Sequence, residues 1–457
     1  MTGKGNDCVK QKIILCLLGC ALLLTGCGAK ETEVMQTTNE VMLGMEPEAV
    51  IDYVVPESVT GILINQAGYE TESKKTAIFR GEKLPEVFHV YDAETKQEIY
   101  EGKVEEKGYD EVTGERIAYG SFDELVTPGE YYIEADILGY SYHFSIGREV
   151  YKDLLNYNLQ YYDGQIREES KLDEEGIKNN CKTLVNMLLA YELHGTAFTD
   201  SMGIEESGNG IPDLLDVMVL QTGLLMEQLE TVLASEDYEM VFYYVTAMAK
   251  FSYTYKEYDN VFATECLQAA ETVWTCMEQS GQTVDEAMRF MAAAELYHVS
   301  GSQKYHTIIK EYGVAEELQP ECRETVYGAV TYLSTKQSVD IDLCGEFMEV
   351  LRERAAEIAT ESRNSYYQIN LNKEDEELLW DMVVFTVIDK VISNHEYAAI
   401  IENHLHYFVG RNPSAASMID GIGEHSYIEE EGMESVMDGG FRQSVLLFML
   451  SEINDET

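Results

Sequence analysis

Two pairs of acidic residues have a spacing that acid–base chemistry could use. Glu434 and Asp438 stand four residues apart, so a helix over residues 434–450 would present both carboxyl groups on one face. Glu169 and Asp173 lie in the acidic segment EESKLDEE. Carboxyl groups that share a cleft can act as general acid and general base. The alternative is that they are solvated surface charges, which we favour for Glu169 and Asp173 because their segment is so acidic.

Other kinds of reactive site find little support in the sequence. No zinc-ligand spacing or HExxH pattern occurs and the nine histidines are scattered, so we predict no metal site and no cofactor. Four of the nine cysteines lie at or before residue 27, and the other five are widely spaced, which predicts free thiols. The formal net charge of -51 disfavours nucleic acid and anionic membrane surfaces as partners, because both require a cationic protein face.

The first 27 residues have the pattern of a targeting signal. A basic stretch precedes the apolar run of residues 13–24, which is too short for a comfortable membrane-spanning helix. The run ends in LTGC, which resembles a bacterial lipoprotein cleavage box. We therefore expect Cys27 to be lipidated and to hold the protein on the extracellular face of the bacterial cell membrane. A plain secretory signal is the alternative. Residues 28–57 are polar and acidic and predict a flexible linker.

Two domains are predicted after the linker. Residues 58–147 alternate apolar and polar side chains between turn signals, which predicts a small all-β sandwich. Residues 148–457 contain about a dozen amphipathic segments, for example residues 340–362 with Asp340 as N-cap. About twelve helices with short connections favour six helical hairpins closed into a barrel. An α-solenoid is the alternative, and we rank it second because no repeat period is visible.

Several segments carry a resemblance to a known family. The segment ESGNGIPDLLD (206–216) resembles glycoside hydrolase family 9, the inverting cellulases, as do MAAAELYHVSGSQKYH (291–306) and HYFVGRNPSAASMIDGIG (406–423). The segments ILINQAGY and PGEYYIEA resemble the immunoglobulin-like module that precedes many catalytic domains of that family. The resemblance implies an N-terminal immunoglobulin-like sandwich followed by an all-α (α/α)6 barrel.

The resemblance also implies roles for the acidic residues. It makes Glu434 the proton donor, with Asp438 in support. The family's base motif, DAGD, aligns without gaps on residues 169–172, so Leu172 takes the position of the base. Asp173 is then the candidate displaced base and Glu169 its candidate partner. An inverting glycosidase needs its two carboxyl groups roughly 6.5–9.5 Å apart in one cleft.

Two loops are shorter than the resemblance would imply. Only six residues separate Tyr162 from Glu169, and only ten separate Gly423 from Glu434. Connecting loops carry much of the function on such scaffolds. Their shortening removes part of the expected cleft floor, and the calcium that the family implies cannot be assigned to residues of this chain.

Aromatic residues are candidates for sugar binding. The chain has 31 tyrosines, and we nominate Trp380, Tyr243, Tyr244 and Tyr427 as stacking surfaces, although core positions are the favoured alternative. The favoured functional hypothesis is a monomeric surface lipoprotein that acts on or binds β-glucan, with hydrolysis weak or lost. The alternatives are an active inverting endo-β-1,4-glucanase with a displaced base, and a non-catalytic scaffold that binds protein.

Overall fold

A computed structural model gives the structure of the chain. It describes residues 59–111, 113–169, 171–315, 318, 321–370, 375–392, 397–426, 435–437 and 439–455. The predicted signal, linker and Cys27 lie outside these residues, and so do Tyr427, Glu434 and Asp438. The sandwich and the helical domain belong to one compact unit, Val55–Thr457.

Ten strands form two sheets. One sheet has the order β1-β3-β7-β6, and the other has the order β2-β10-β8-β4-β5 with β9 beside β8. The pairings are antiparallel except for β10 with β2. The strands are β1 Ile62–Leu63, β2 Tyr69–Glu70, β3 Thr76–Gly81, β4 Val87–Asp92, β5 Glu98–Lys103, β6 Glu105–Asp110, β7 Glu115–Ser121, β8 Gly129–Ala135, β9 Gly139–Tyr140 and β10 Phe144–Gly147.

Alternating aromatic side chains fill the space between the sheets. Phe79, Phe88 and Phe122 are completely buried, and the Phe79 and Phe88 rings lie 5.2 Å apart. Gly120 faces this cluster, where a Cβ atom would lie 2.5 Å from the Phe88 ring. The predicted period of two therefore produces the sandwich, because one face of each sheet supplies the core.

Thirteen α-helices follow within the described residues. They are α1 Val150–Glu168, α2 Glu174–His194, α3 Asp213–Met226, α4 Leu229–Ala234, α5 Tyr238–Tyr255, α6 Asn260–Ser280, α7 Glu286–Ser300, α8 Gln303–Ala315, α9 Arg323–Ser334, α10 Ile341–Asn364, α11 Asp375–Ile392, α12 Ala398–Phe408 and α13 Gly440–Ile453. The predicted N-cap Asp340 is confirmed, because its carboxylate accepts a hydrogen bond from Asp342 N at 3.2 Å.

Six helices form an inner ring in the order α2, α5, α7, α9, α11, α13, and α13 packs back against α2. This closure confirms the barrel and excludes an open solenoid. The inner helices are buried on nearly all sides, whereas outer helices such as α6 and α10 are amphipathic. None of the described helices is both long and apolar enough to cross a bilayer.

The six inner helices run in the same direction. Residues toward their N-terminal ends meet at one end of the ring, and residues toward their C-terminal ends meet at the other. At one end Lys182 of α2 pairs with Glu239 of α5. At the other end His194 of α2 meets Glu452 of α13. The N-terminal ends of the ring therefore share one rim, and the loops that precede α2 and α13 both lead into it.

Free cysteines are confirmed for the described part of the chain. Cys181, Cys266, Cys276, Cys322 and Cys344 form no disulfide. Cys181 and Cys266 are buried as predicted, whereas Cys276 is exposed.

Candidate active site

Asp173 forms the N-cap of α2. Its carboxylate accepts a hydrogen bond from Gly176 N at 2.8 Å, and the residue is exposed. A side-chain oxygen here satisfies one of the N–H groups that the first helical turn leaves without a partner. The sequence carried this signal, since two glutamates follow Asp173 and negative charge favours a helix start. The role of Asp173 as a catalytic base stays a prediction. In the structure its carboxylate caps the N-terminus of α2.

Leu172, which the gapless alignment assigns to the position of the family's base, has an apolar side chain. It is half-buried and packs against the main core. A Cβ atom added to Gly176 would lie 3.4 Å from the Cδ2 atom of Leu172. Leu172 therefore stabilises the turn into α2 by packing. Its side chain has no ionisable group, so it cannot accept a proton from water.

Glu169 follows directly after α1 and turns back to α2. Its two carboxylate oxygens lie 3.2 and 3.4 Å from Asn180 Nδ2. Asn180 is held in place by Gln221, whose Nε2 donates to Asn180 Oδ1 at 3.0 Å. Tyr162 is buried nearby, and burial together with the charge of Glu169 raises its pKa well above the ordinary value. Glu169 thus faces the barrel interior more than Asp173 does.

The segment Ser435–Met437 carries the chain into α13 as a turn. Val436 N donates to Met418 O at 2.7 Å, and Gln165 Nε2 donates to Met437 O at 3.3 Å. Gly439 follows with a φ of 99°, which favours glycine and ends any helical path into Gly440. The prediction that the last helix begins at residue 434 is therefore wrong, because it begins at Gly440. Glu434 and Asp438 therefore precede this helix and do not share a face of it.

An ionic network lines the rim between α2, α5 and α9. Lys182 Nζ lies 2.5 Å from Glu239 Oε1 and 5.2 Å from the centre of the Tyr243 ring. Tyr243 in turn donates its hydroxyl to Glu324 Oε1 at 2.7 Å. Burial, followed by the negative charge of Glu324, raises the pKa of Tyr243 well above the ordinary value. This chain of contacts fixes the rotamers of one wall of the rim.

A second wall of the rim is formed by Arg323, Trp380 and Phe441. The guanidinium carbon of Arg323 lies 5.6 Å from the Trp380 ring centre and 4.5 Å from the Phe441 ring centre. Phe441 is half-buried, whereas Trp380 is 5% exposed. The indole N–H of Trp380 is buried and has no hydrogen-bond partner among the described residues. An arginine between two aromatic rings beside an unsatisfied donor is suited to a polyhydroxylated ligand.

The barrel interior is closed below the rim. Asn186 Nδ2 donates to Ser444 Oγ at 2.9 Å, and Tyr327 donates its hydroxyl to Asn186 Oδ1. These residues come from α2, α13 and α9. A ligand at the rim would rest on this polar floor and would not enter a channel.

Two of the three nominated tyrosines, Tyr243 and Tyr244, are interior residues. Tyr243 is 1% exposed and Tyr244 is 0% exposed, and the Tyr244 hydroxyl points to Met226 Sδ at 3.8 Å. A stacking role for either ring would need rearrangement of the rim. Tyr427 lies outside the described residues, so only Trp380 among the nominated aromatics borders the rim in the structure.

The segment ESGNGIPDLLD forms a rigid turn on the outside of the barrel. The carboxylate of Asp200 accepts hydrogen bonds from the N–H groups of Gly208, Asn209 and Gly210 at 2.6, 3.2 and 2.7 Å. Gly208 and Gly210 have φ of 95° and 92°, which only glycine adopts without strain. Asp213 closes the turn by accepting from Met202 N at 2.6 Å. The most recognisable stretch of the sequence is therefore structural.

This turn also anchors the end of α1. Arg167 forms an ion pair with Asp163 at 2.8 Å and another with Glu206. Since Glu169 is two residues further along the chain, the turn fixes the backbone that carries Glu169. Residues 424–426, the described part of the loop after Gly423, contact the sandwich instead, where the His425 ring stacks on Tyr142 at 5.4 Å.

Sequence reasoning missed the rim residues Lys182, Glu239, Arg323, Glu324 and Phe441. The one available signal was positional, since each lies in the first three turns of its helix. Their partners are far away in sequence, and no local pattern reports contacts of that kind.

Two family models match the chain. The Cellulase N-terminal ig-like domain matches residues 57–139, and Glycosyl hydrolase family 9 matches residues 231–430. The second match contains Arg323 and Trp380 but not Phe441. It includes neither Glu169 and Asp173 nor Glu434 and Asp438.

Known proteins show the same likeness across most of the chain. A cellodextrinase from Butyrivibrio fibrisolvens is 21% identical over 472 residues, covering 80% of this chain and 85% of that protein. A metagenome-derived glycoside hydrolase family 9 endoglucanase superposes with a TM-score of 0.73 at 19% identity, covering 86% of this chain and 99% of that chain.

A thermostable endoglucanase from Alicyclobacillus acidocaldarius superposes with a TM-score of 0.70 at 16% identity, covering 88% of this chain and 100% of that chain. At these identities the superpositions establish the fold alone. The two family models assign residues 57–139 to the cellulase N-terminal ig-like domain and residues 231–430 to glycosyl hydrolase family 9, so the chain combines these two domains.

Proposed function

We propose that this protein is a lipid-anchored surface protein that binds β-glucan at the rim of the inner helices and hydrolyses it weakly or not at all. The observation that carries the proposal is at the start of α2. The gapless alignment to the family's DAGD motif puts Leu172 at the base position, and the adjacent Asp173 uses its carboxylate to cap the helix. A glycosidic bond is not cleaved efficiently by a proton donor that lacks a base to activate water.

Binding is supported by the wall that Arg323, Trp380 and Phe441 form. Sugar rings pack their apolar faces on aromatic side chains, and their hydroxyl groups can accept hydrogen bonds from the guanidinium of Arg323, which lies 4.5 Å from the ring centre of the half-buried Phe441. The names of the similar proteins, a cellodextrinase and two endoglucanases, support a β-1,4-linked glucan as the ligand.

A second candidate function is an inverting glycanase in which Glu169 is the base. Gln165 and Glu169 are four residues apart at the end of α1, and Gln165 binds the backbone of Met437. Met437 follows Glu434 by three residues, so the predicted donor and Glu169 belong to segments that meet. This favours Glu169 over Asp173 as the base if hydrolysis occurs. A scaffold that binds protein is the third candidate, and no contact among the described residues favours it over the other two.

Affinity electrophoresis through a gel containing soluble β-1,4-glucan tests the proposal. The wild-type protein should be retarded, and Arg323→Ala should lose most of the retardation. Arg352→Ala is the matched control, because Arg352 is exposed on α10 and pairs only with Glu349 nearby at 2.7 Å. Retardation that survives Arg323→Ala would place the ligand elsewhere, and the absence of retardation in the wild type would leave the scaffold function.

The anchor is tested separately. Expressed with its first 27 residues, the protein should partition into the detergent phase of a Triton X-114 extraction, and Cys27→Ala should move it to the aqueous phase. Recovery of the wild type in the aqueous phase would support a plain secretory signal.

A further inference from the structure

Three potential metal ligands converge on the outer face of the sandwich. His89 lies on β4, and Glu98 and Glu101 lie on the neighbouring strand β5. The Nδ1 atom of His89 lies 3.3 Å from Glu98 Oε1 and 3.9 Å from Glu101 Oε2. One ligand atom from each residue lies within 4.8 Å of the other two.

A β-bulge brings the two glutamates to the same face. His89 pairs with Glu101 and Val90 with Tyr100, but Tyr91 pairs with Glu98, so the register shifts and Ile99 is extra. Residues three apart on a regular strand point to opposite faces. Because of the extra residue, Glu98 and Glu101 both face His89. Bulges of this kind re-aim side chains and are frequent beside functional sites.

The imidazole is not satisfied by these neighbours. Its Nδ1 atom is buried and makes no hydrogen bond, although two carboxylate oxygens are close. A hydrogen bond to Glu98 would be the expected outcome if the group needed only a partner for its N–H. Here the ring nitrogen and the carboxylates point into a shared space between the side chains.

The distances fit one small divalent ion. Zinc binds imidazole nitrogen and carboxylate oxygen at about 2.0–2.2 Å, so two ligands of a tetrahedral ion are about 3.4 Å apart. The separation of 3.3 Å between His89 and Glu98 already matches. The exposed Glu101 has its Oε2 atom 3.9 Å from His89 Nδ1, so a rotation of its side chain would complete the set, with water as the fourth ligand.

We infer that His89, Glu98 and Glu101 form a surface site for a divalent transition-metal ion of the zinc class. One nitrogen and two oxygen ligands favour such an ion over calcium, which takes oxygen ligands alone. Two carboxylates and a neutral imidazole balance its charge. The ion would join β4 to β5 across the bulge and stabilise the outer strand of that sheet. No sequence motif marks this site, because Glu98 follows His89 by nine residues, Glu101 follows Glu98 by three, and the ligands lie on two strands.

Equilibrium dialysis of the full chain against Zn²⁺ alone, with the bound metal measured by mass spectrometry, tests the inference. His89→Asn should bind one ion fewer per chain than the wild type. His143→Asn is the matched control, because His143 is the other described histidine of the sandwich and already bonds Glu424 at 2.6 Å. The control should keep the wild-type stoichiometry.

A second readout separates binding from misfolding. Zn²⁺ should raise the melting temperature of the wild type and of His143→Asn by several degrees, and it should not raise that of His89→Asn. If His89→Asn is poorly folded, Glu101→Gln replaces an exposed side chain and should likewise lose one ion. Equal zinc stoichiometry in the wild type and a folded His89→Asn or Glu101→Gln would overturn the inference. So would a wild type that binds no zinc, or one that binds Ca²⁺ in preference.

Discussion

Gln165 donates its side-chain amide to the backbone oxygen of Met437 at 3.3 Å. The bond ties the end of α1, which carries Glu169, to the turn that follows Glu434. The end of α1 and the turn Ser435–Met437 are therefore held together at one rim, although they are some 270 residues apart in the sequence. The leucine side chain at position 172 cannot ionise. The three candidate functions differ in whether another residue takes the role of the base.

Asp173 can be tested as a helix cap. Asp173→Ala should lower the free energy of unfolding by about 1 kcal/mol, because Gly176 N loses its partner. Asp173→Asn should change it by less than about 0.5 kcal/mol, because asparagine caps equally well. Urea denaturation measures both. An alanine variant as stable as the wild type would show that the cap contributes nothing.

Lys250 should be indispensable for stability. It is buried between Glu192 and Glu295, with Nζ at 2.8 and 2.9 Å from their oxygens. Burial alone would lower the pKa of Lys250, but the two carboxylates outweigh burial and raise it. Lys250→Met leaves the buried Glu295 and the partly buried Glu192 without their cationic partner, so we expect a loss of about 3–5 kcal/mol.

Lys256→Met is the control for this prediction, because Lys256 is exposed at the end of the same helix. It should change the stability by less than about 1 kcal/mol, as an exposed charge is worth little. Equal losses in the two variants, measured by urea denaturation, would contradict the assigned role of Lys250.

The C-terminal end of the ring should give stability a defined pH dependence. Burial, and then the charge of Asp389, raises the pKa of Glu452 to about 7. Glu452 faces His194 at 3.2 Å, and burial lowers the pKa of His194 to about 4. Lys390 and Asp455 complete the group of neighbours.

The sign of the effect follows from proton uptake. Unfolded Glu452 loses its proton near pH 4.3, whereas the folded side chain keeps it to about pH 7. The free energy of unfolding therefore falls between these values as the pH rises, by up to roughly 3 kcal/mol. Glu452→Gln removes this term, while the opposite contribution of His194, lost as the pH falls below about 6.5, remains in both proteins.

Relative to the wild type, Glu452→Gln should thus gain stability between pH 5 and pH 8. Glu265→Gln, at an exposed position of α6, should show no such trend. Urea denaturation at both pH values provides the measurement. A difference between Glu452→Gln and the wild type that stays constant with pH would contradict the account.

The fold was predictable because local signals agree with it. The alternation of residues 58–147 and the cap at Asp340 are encoded within a few residues. Closure of the barrel was expected from the number of helices and from the family resemblance. The start of α13 was not found, since the apolar run hid the left-handed Gly439 that delays the helix to Gly440.

The site was predictable only in part. Chain order located the two acidic loops, but Arg323, Trp380 and Phe441 come together from three helices and share no local pattern. The burial of Tyr243 and Tyr244 likewise depends on neighbours from other helices. Composition counts tyrosines but does not report which faces the helices turn inward.

The release of reducing ends from soluble β-1,4-glucan tests the central claim most directly. It should be measured for the wild type, Glu434→Gln, Glu169→Gln and Asp173→Asn at equal concentration. We expect the wild type to be no faster than Glu434→Gln, because no base is available at Leu172. Wild-type turnover that is abolished by Glu434→Gln and by either Glu169→Gln or Asp173→Asn would contradict the account and establish an inverting hydrolase.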